Sequence, residues 1–191
     1  MNLPPLVLAS ASPRRLDLLA QIGIVPTRIA PADIDESVRR DELPRPYVQR
    51  MAREKAAAID GAGAFVLAAD TVVAVGRRIL PKAESEAEAR ACLTLMSGRR
   101  HRVMTAVVLV SPNGLRRERL CESVVGLARL TSRDIDTYVA SQEWRGKAGG
   151  YAIQGKAASF IRFLSGSHSN VVGLPLFETA QLLRGSGWCL P

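Results

Sequence analysis

Cysteine, histidine and aromatic residues are scarce in this 191-residue sequence: three Cys, two His, and 5% Phe, Trp and Tyr together. Cys92, Cys121 and Cys189 lie far apart, are odd in number and form no Cys-x-x-Cys pair. That pattern argues against a disulfide scaffold or a zinc knuckle and fits a reducing compartment, so a cytoplasmic location is expected. His101 and His168 are the only histidines. With so few soft ligands, a bound metal should be a hard, oxygen-ligated cation such as Mg²⁺ or Mn²⁺. Aromatics never alternate with basic residues, as a stacking platform for single-stranded nucleic acid would require. No long apolar run is free of charge, so no membrane-spanning segment is expected. The stretch from Met1 to Ala9 has no basic lead-in and its apolar run stops by Arg14, which reads as a first strand rather than a signal peptide.

What is present is an ordinary globular balance, 47% hydrophobic and 23% charged, long enough to bury a sizeable core. The length of residues 1–191 suggests one large domain or two tightly joined lobes. The net charge of +8 admits two classes of partner. One is nucleic acid held on a basic face, and the other is a small polyanion held in a pocket. The missing aromatic platform favours the small polyanion.

Along the chain, Leu6 to Ala9 reads as a buried strand, followed by a helix with Ser12 as cap and Pro13 at its first position. Gly23 closes that helix, and a short strand is expected over Val25 to Ile29. Pro31 to Pro46 reads as an acidic, proline-bearing loop. A helix is expected from Tyr47 to Ile59, with Tyr47, Met51 and Ala58 near its apolar stripe and Arg50, Arg53, Glu54 and Lys55 elsewhere. Phe65 to Val75 is a strong strand, Ser85 to Met96 a helix, and Val103 to Val110 with Glu118 to Leu130 a hairpin about Pro112-Asn113-Gly114. Thr131 to Ser141 reads as a helix, Gly146 to Gly155 as a glycine-rich loop, Phe160 to Leu164 as a strand and Leu174 to Leu183 as the last helix. Alternating strands and helices with hairpins predict an α/β fold with a mixed, twisted sheet and flanking helices.

Several segments carry candidate chemistry. Ser10-Ala11-Ser12-Pro13-Arg14-Arg15 places a helix N-terminus and two guanidinium forks together, a combination suited to phosphate. A plainly capped helix with solvated arginines is the commoner use of such a segment. Asp70, in Ala68-Ala69-Asp70-Thr71, follows an apolar run and needs water, a partner or a metal. It can bind a cation, take a proton from water, or bond to nearby backbone. Asp33, Asp35 and Glu36 form an acidic loop able to share a hard cation, although solvated loops of this kind are common. Lys55 and Lys82 mean little singly. In Lys147 to Gly155, glycines permit close backbone approach and Gln154 can read a base edge. Gly166 to Leu176 reads as a polar loop, with His168 a surface residue.

Taken together, these segments resemble the Maf family of nucleotide pyrophosphatases. The resemblance rests on Ser-x-Ser-Pro-Arg-Arg at 10–15, Asp35-Glu36, Ala69-Asp70-Thr71-Val72-Val73, Lys82, Ser97-Gly98, Lys147-Ala148-Gly149, Ile153-Gln154-Gly155 and Asn170-Val171-Val172-Gly173-Leu174-Pro175-Leu176. These pieces keep the family's order over nearly the whole chain. The resemblance implies a fold like that of inosine triphosphate pyrophosphatases, with two lobes around a cleft. It implies hydrolysis of a nucleoside triphosphate to the monophosphate and pyrophosphate, a divalent cation and a homodimer. Asp70 matches the family's proton acceptor. Ser10, Arg14, Arg15, Glu36, Lys55 and Lys82 match its pocket, with Asp70 and Glu36 left to hold metal. Arg14, Thr71 and Gln154 match positions that separate the dTTP/UTP branch, which this chain resembles, from members preferring 7-methyl-GTP. Two departures stand out: Gly146 replaces the Asp frequent before Lys-Ala-Gly, and Pro81-Lys82-Ala83 replaces Gly-Lys-Pro. A nucleic-acid-binding regulator and a cell-division regulator without turnover remain as alternatives.

Overall fold

The computed structural model describes residues 4–188, so Cys189 lies outside the described residues. The element order is β1 (Leu6–Leu8), α1 (Pro13–Gln21), β2 (Arg28–Ile29), α2 (Pro44–Ala57), β3 (Phe65–Val75), β4 (Arg78–Leu80), β5 (Lys82–Ala83), α3 (Glu86–Met96), β6 (Arg100–Val110), β7 (Arg116–Leu127), α4 (Ser132–Ala140), β8 (Lys147–Ala148), a 3₁₀ turn (Lys156–Phe160), β9 (Ile161–Ser165), α5 (His168–Val172) and α6 (Leu176–Gly185). The main sheet runs β2-β1-β3-β6-β7-β9, with β4 also on β3, and β5 and β8 form a separate two-stranded sheet. β1 is parallel to β2 and β3, whereas the other pairings are antiparallel, so the expected mixed α/β sheet is present.

Apolar residues alternate along β3 and pack both of its faces. Val66, Ala68, Val72 and Ala74 meet α2 through Val48, Ala52 and Ala56. Leu67 and Ala69 face the other side, where Leu18 and Leu19 of α1 and Leu182 and Leu183 of α6 close the core. A third cluster gathers Leu93 and Met96 of α3, Tyr138 of α4, and Trp144 around Val73, Val103 and Val125. Ser85 and Thr131 cap α3 and α4 with complete capping boxes.

Several expectations need correction. α2 starts at Pro44, three residues earlier than expected, because prolines are tolerated where a first-turn N–H would have no helical partner. Its buried stripe is Val48, Met51, Ala52, Lys55 and Ala56, so Lys55 lies on the inward face and Ala58 is exposed. Ser12 holds the N-cap position of α1, but its side chain makes no cap hydrogen bond. Residues 168–172 form a short helix rather than loop, with Ser167 accepting from the Asn170 N–H as its cap.

The course of β1 and β4 positions the site. β1 follows β3 only to the Leu8–Leu67 pair, after which Ala9 N–H donates to Leu67 O and the chain turns into α1. β4 joins the same edge of β3 only from Val73 onward. Between these points β3 has a ladder neighbour on its β6 side alone, and Asp70 and Thr71 sit in that gap. A crevice beyond the carboxyl end of a parallel strand is where α/β sheets commonly bind ligands.

His101 illustrates how the core treats a polar group. It is 2% exposed on β6, and burial lowers its pKa from 6.5 to about 4. The unfolded chain therefore binds the extra proton first as pH falls. Stability from this group is full above about pH 6.5, declines from there to about pH 4, and the total loss is on the order of 3 kcal/mol. Melting curves from pH 7 to 4 should fall less steeply for His101→Gln than for wild type, and parallel curves would refute this.

Candidate active site

A cavity of about 380 Å³ opens at the β3 gap. One wall is the β1–α1 junction, from Ala9 to Arg15, and the opposite wall comes from residues 146–148 and 151–154. Ser10, Arg14, Arg15, Glu36, Lys55, Asp70, Thr71, Lys82 and Gln154 all line it. Residues separated by up to 144 positions thus share one space. Asp33 and Asp35 do not line it; the Asp35 carboxylate instead accepts from the Ser37 N–H and Oγ, both at 2.9 Å, and these bonds lower its pKa.

On the α2 side of the sheet, charges alternate in sign. Asp70 is only 4% exposed, and its Oδ1 lies 2.5 Å from Lys55 Nζ. The same Nζ is 2.8 Å from Glu36 Oε1, and Lys82 pairs with the other Glu36 oxygen. Burial pushes the Glu36 carboxyl up, but hydrogen bonds from Lys55 and Lys82 outweigh it and bring it to about 2. The Tyr47 hydroxyl donates to the Glu36 carbonyl at 3.0 Å, which ties the loop carrying this carboxylate to α2. Burial, then the nearby Asp70 and Glu36 charges, raise Tyr47 to about 12.

On the other face, Arg15 is buried and fully directed. Its Nε donates to Gly173 O at 2.9 Å, Nη1 to Ser10 Oγ at 2.9 Å and Nη2 to Thr71 Oγ1 at 3.4 Å. Burial lowers its pKa, and the Asp70 and Glu36 charges oppose that effect. Thr71 also contacts Thr105 Oγ1 at 2.9 Å, and Thr105 in turn donates to Asn170 O at 3.0 Å. The carbonyl that orients Arg15, that of Gly173, is thus placed by the C-terminal cap of the short helix α5. Arg14 is half-buried nearby, and Gln154 is exposed.

Because side chains alternate along a strand, Asp70 and Thr71 point to opposite faces of β3, and the sheet gap lets both border one cavity. The result is a carboxylate floor ringed by Arg14, Arg15, Lys55, Lys82 and Lys147. Such a ring attracts a polyanion and leaves a buried carboxylate against it. Lys147 belongs to the Lys-Ala-Gly motif but is not among the pocket residues that the sequence suggests. It is half-buried, and burial followed by repulsion from Arg14 lowers its pKa. Its place in that motif, at the start of a glycine-rich segment, is the signal that points to it.

The profile of the family described as Maf-like protein matches residues 5–186. The chain belongs to the Maf family. Among its curated Maf relatives, a dTTP/UTP pyrophosphatase from Rhodospirillum rubrum is 63% identical over 186 residues, covering 96% of this chain and 89% of the relative. One from Caulobacter vibrioides is 60% identical over 187 residues, covering 97% of each chain. One from Gluconobacter oxydans is 64% identical over 189 residues, covering 95% and 87%. Among solved structures, a nucleoside-triphosphatase / dITP/XTP pyrophosphatase from Mycobacterium abscessus aligns at 18% identity and a TM-score of 0.42, covering 67% of this chain and 75% of that one.

The two departures from the Maf pattern also have places in the structure. Gly146 lines the cavity with φ at 62°, and its N–H donates to Ala83 O at 2.9 Å. Lys82 opens β5, where it pairs with Ala148 of β8. Among the described residues, no group of three or more His, Cys, Asp or Glu is placed to hold a metal. Asp70 and Glu36 nevertheless converge on a single point, Lys55 Nζ. Two carboxylates completed by substrate phosphates and water are a usual donor set for Mg²⁺, so this pair fits such a cation. No helix among the described residues is long and apolar enough to cross a membrane.

Proposed function

We propose that this Maf protein hydrolyses nucleoside triphosphates between the α- and β-phosphates, with dTTP and UTP as preferred substrates. The observation that carries the reading is the single cavity that joins buried Asp70 to five cationic side chains in a chain 60–64% identical to proteins named dTTP/UTP pyrophosphatases. Residues 1–191 act as one domain in this reading, with two lobes about the cleft.

Arg14, Arg15, Lys55, Lys82 and Lys147 offset the triphosphate's charge, and the fixed Arg15 fork matches phosphate oxygens. Ser10 donates to a phosphate oxygen once the nucleotide is bound. A water molecule attacks the α-phosphorus and gives its proton to Asp70. The bond from the α-phosphorus to the bridging oxygen breaks, and pyrophosphate leaves with that oxygen. Asp70 and Glu36 are the residues that would hold a divalent cation, Mg²⁺ or Mn²⁺. A bound cation neutralises charge that develops on the phosphates. With a cation held there, Lys55 would be freed from one or both carboxylates and available to phosphate.

The test is a panel of nucleoside triphosphates with Mg²⁺ or Mn²⁺, assayed for both products. Equimolar monophosphate and pyrophosphate are expected, with dTTP and UTP turned over fastest. Release of orthophosphate alone would refute cleavage at this bond. Salt-sensitive DNA or RNA binding without hydrolysis would favour a regulator instead.

Thr71 and Gln154 read the base in this scheme. A Thr71→Ala/Gln154→Ala double variant should lose most of its preference for dTTP over GTP while still releasing pyrophosphate. An unchanged preference would place base reading elsewhere.

A further inference from the structure

Tyr151 borders the cavity, yet its hydroxyl is not directed to substrate chemistry. It lies 2.7 Å from His101 Nε2, with the two rings edge to face at 84° and centroids 5.4 Å apart. His101 does not line the cavity. Its Nδ1 is buried without a hydrogen-bond partner, so Tyr151 is the polar contact of this imidazole. A buried polar ring with one unmet atom costs stability that an apolar residue would not. Its presence in the core therefore calls for a reason beyond packing.

The surroundings supply one. Just after Tyr151, the Ala152 N–H donates to the Tyr138 hydroxyl at 3.0 Å. Just before it, Gly149 and Gly150 adopt φ of 68° and 66° and pack without side chains. A Cβ on Gly149 would come 2.9 Å from Val73 Cγ1, and one on Gly150 would come 3.2 Å from Ala89 Cα. The backbone from 149 to 152 is thus seated closely on the core and held by two buried phenol hydroxyls, that of Tyr138 and that of Tyr151 itself. Tyr151, Ala152, Ile153 and Gln154 form the cavity wall directly downstream.

We propose that His101 is a positioning residue for nucleobase selection: by holding the Tyr151 hydroxyl it fixes the 151–154 wall and so sets how tightly the base is discriminated. This rests on the pyrophosphatase reading above. The imidazole is neutral at neutral pH because burial lowers its pKa to about 4, so the contact persists through the physiological range.

Kinetics of His101→Leu, His101→Gln, Tyr151→Phe and the His101→Leu/Tyr151→Phe double variant test this, with dTTP, UTP and GTP as substrates and melting temperatures measured in parallel. Losing a positioning hydrogen bond should reduce the dTTP-over-GTP ratio of kcat/KM by about tenfold in His101→Leu. The change should lie in KM for dTTP, with kcat nearly unaltered. His101→Gln, which keeps a polar nitrogen, should recover much of the ratio. The double variant should be no worse than the poorer single variant, since one contact is removed in each case. Tyr151→Phe keeps the ring and loses only the hydroxyl, so it carries the same expectation if His101→Leu does not fold. A lowered melting temperature with an unchanged nucleotide ratio would overturn the proposal and leave His101 purely structural. Equal losses for all three nucleotides would overturn it as well. A wild-type protein that hydrolyses no triphosphate would instead refute the underlying reading, and the proposal with it.

Discussion

Asp70→Asn is expected to lower kcat for pyrophosphate release by about 10²–10⁴-fold, the range lost when a positioned proton acceptor is removed. The asparagine is nearly isosteric and retains an oxygen toward Lys55, so the sheet and the cavity should persist. Asp70 lies in the gap between β1 and β4, and no strand there depends on its side chain. Nucleotide binding should therefore survive, because the cations lining the cavity are untouched. Titration of dTTP against the variant, with turnover measured in the same preparation, separates the two effects. A variant that binds dTTP and releases pyrophosphate at the wild-type rate would remove Asp70 from the chemistry.

Lys55→Met should have the largest effect on stability. Lys55 is the only cation within ion-pair distance of Asp70 among the described residues, and it also neutralises half of Glu36. Removing it leaves Asp70, 5% exposed at its side chain, as an uncompensated buried carboxylate close to a second one. Breaking a buried pair on one side costs about 3–5 kcal/mol, and the lower end applies because Glu36 reaches solvent and keeps Lys82. For a chain of this size that is a fall in Tm on the order of 10 °C. Added Mg²⁺ should return part of the loss in Lys55→Met and do less for wild type, since the same two carboxylates would hold the cation. Thermal melts of both proteins with and without Mg²⁺ give the comparison. Equal melting temperatures without metal would show that the Lys55 pair is not what neutralises Asp70.

The long elements were legible because burial imposes a pattern on the residues themselves. The apolar run from Phe65 to Val75 is β3 end to end, and Pro112-Asn113-Gly114 marks the β6–β7 turn. The helices expected from Ser85 and from Thr131 each begin one residue later, with those two residues as their N-caps. Four of the short elements were not legible. β4, β5 and β8 have two or three residues each and exist because a neighbouring strand offers hydrogen bonds, which leaves no periodicity to read. α5 reads as loop in the sequence because five residues with three polar side chains carry no helical stripe. The buried position of Lys55 is not legible in the sequence because a lysine reads as solvated unless its partner is known. Its partner, Asp70, lies on a strand 15 residues away.

By itself, the sequence determined the kinds of chemistry available: few soft metal ligands, a surplus of positive charge, a carboxylate within an apolar run, and alternating strands and helices. It also carried enough ordered motifs to resemble one family over nearly its whole length. Tertiary structure alone decided that Asp70 and Thr71, on opposite faces of β3, border the same space, because β1 turns away before them and β4 begins after them. It also decided that Lys55 bridges two carboxylates and that His101 stands behind the cavity wall. These are relations between distant segments, set by strand register and core packing rather than by any local preference of the residues involved.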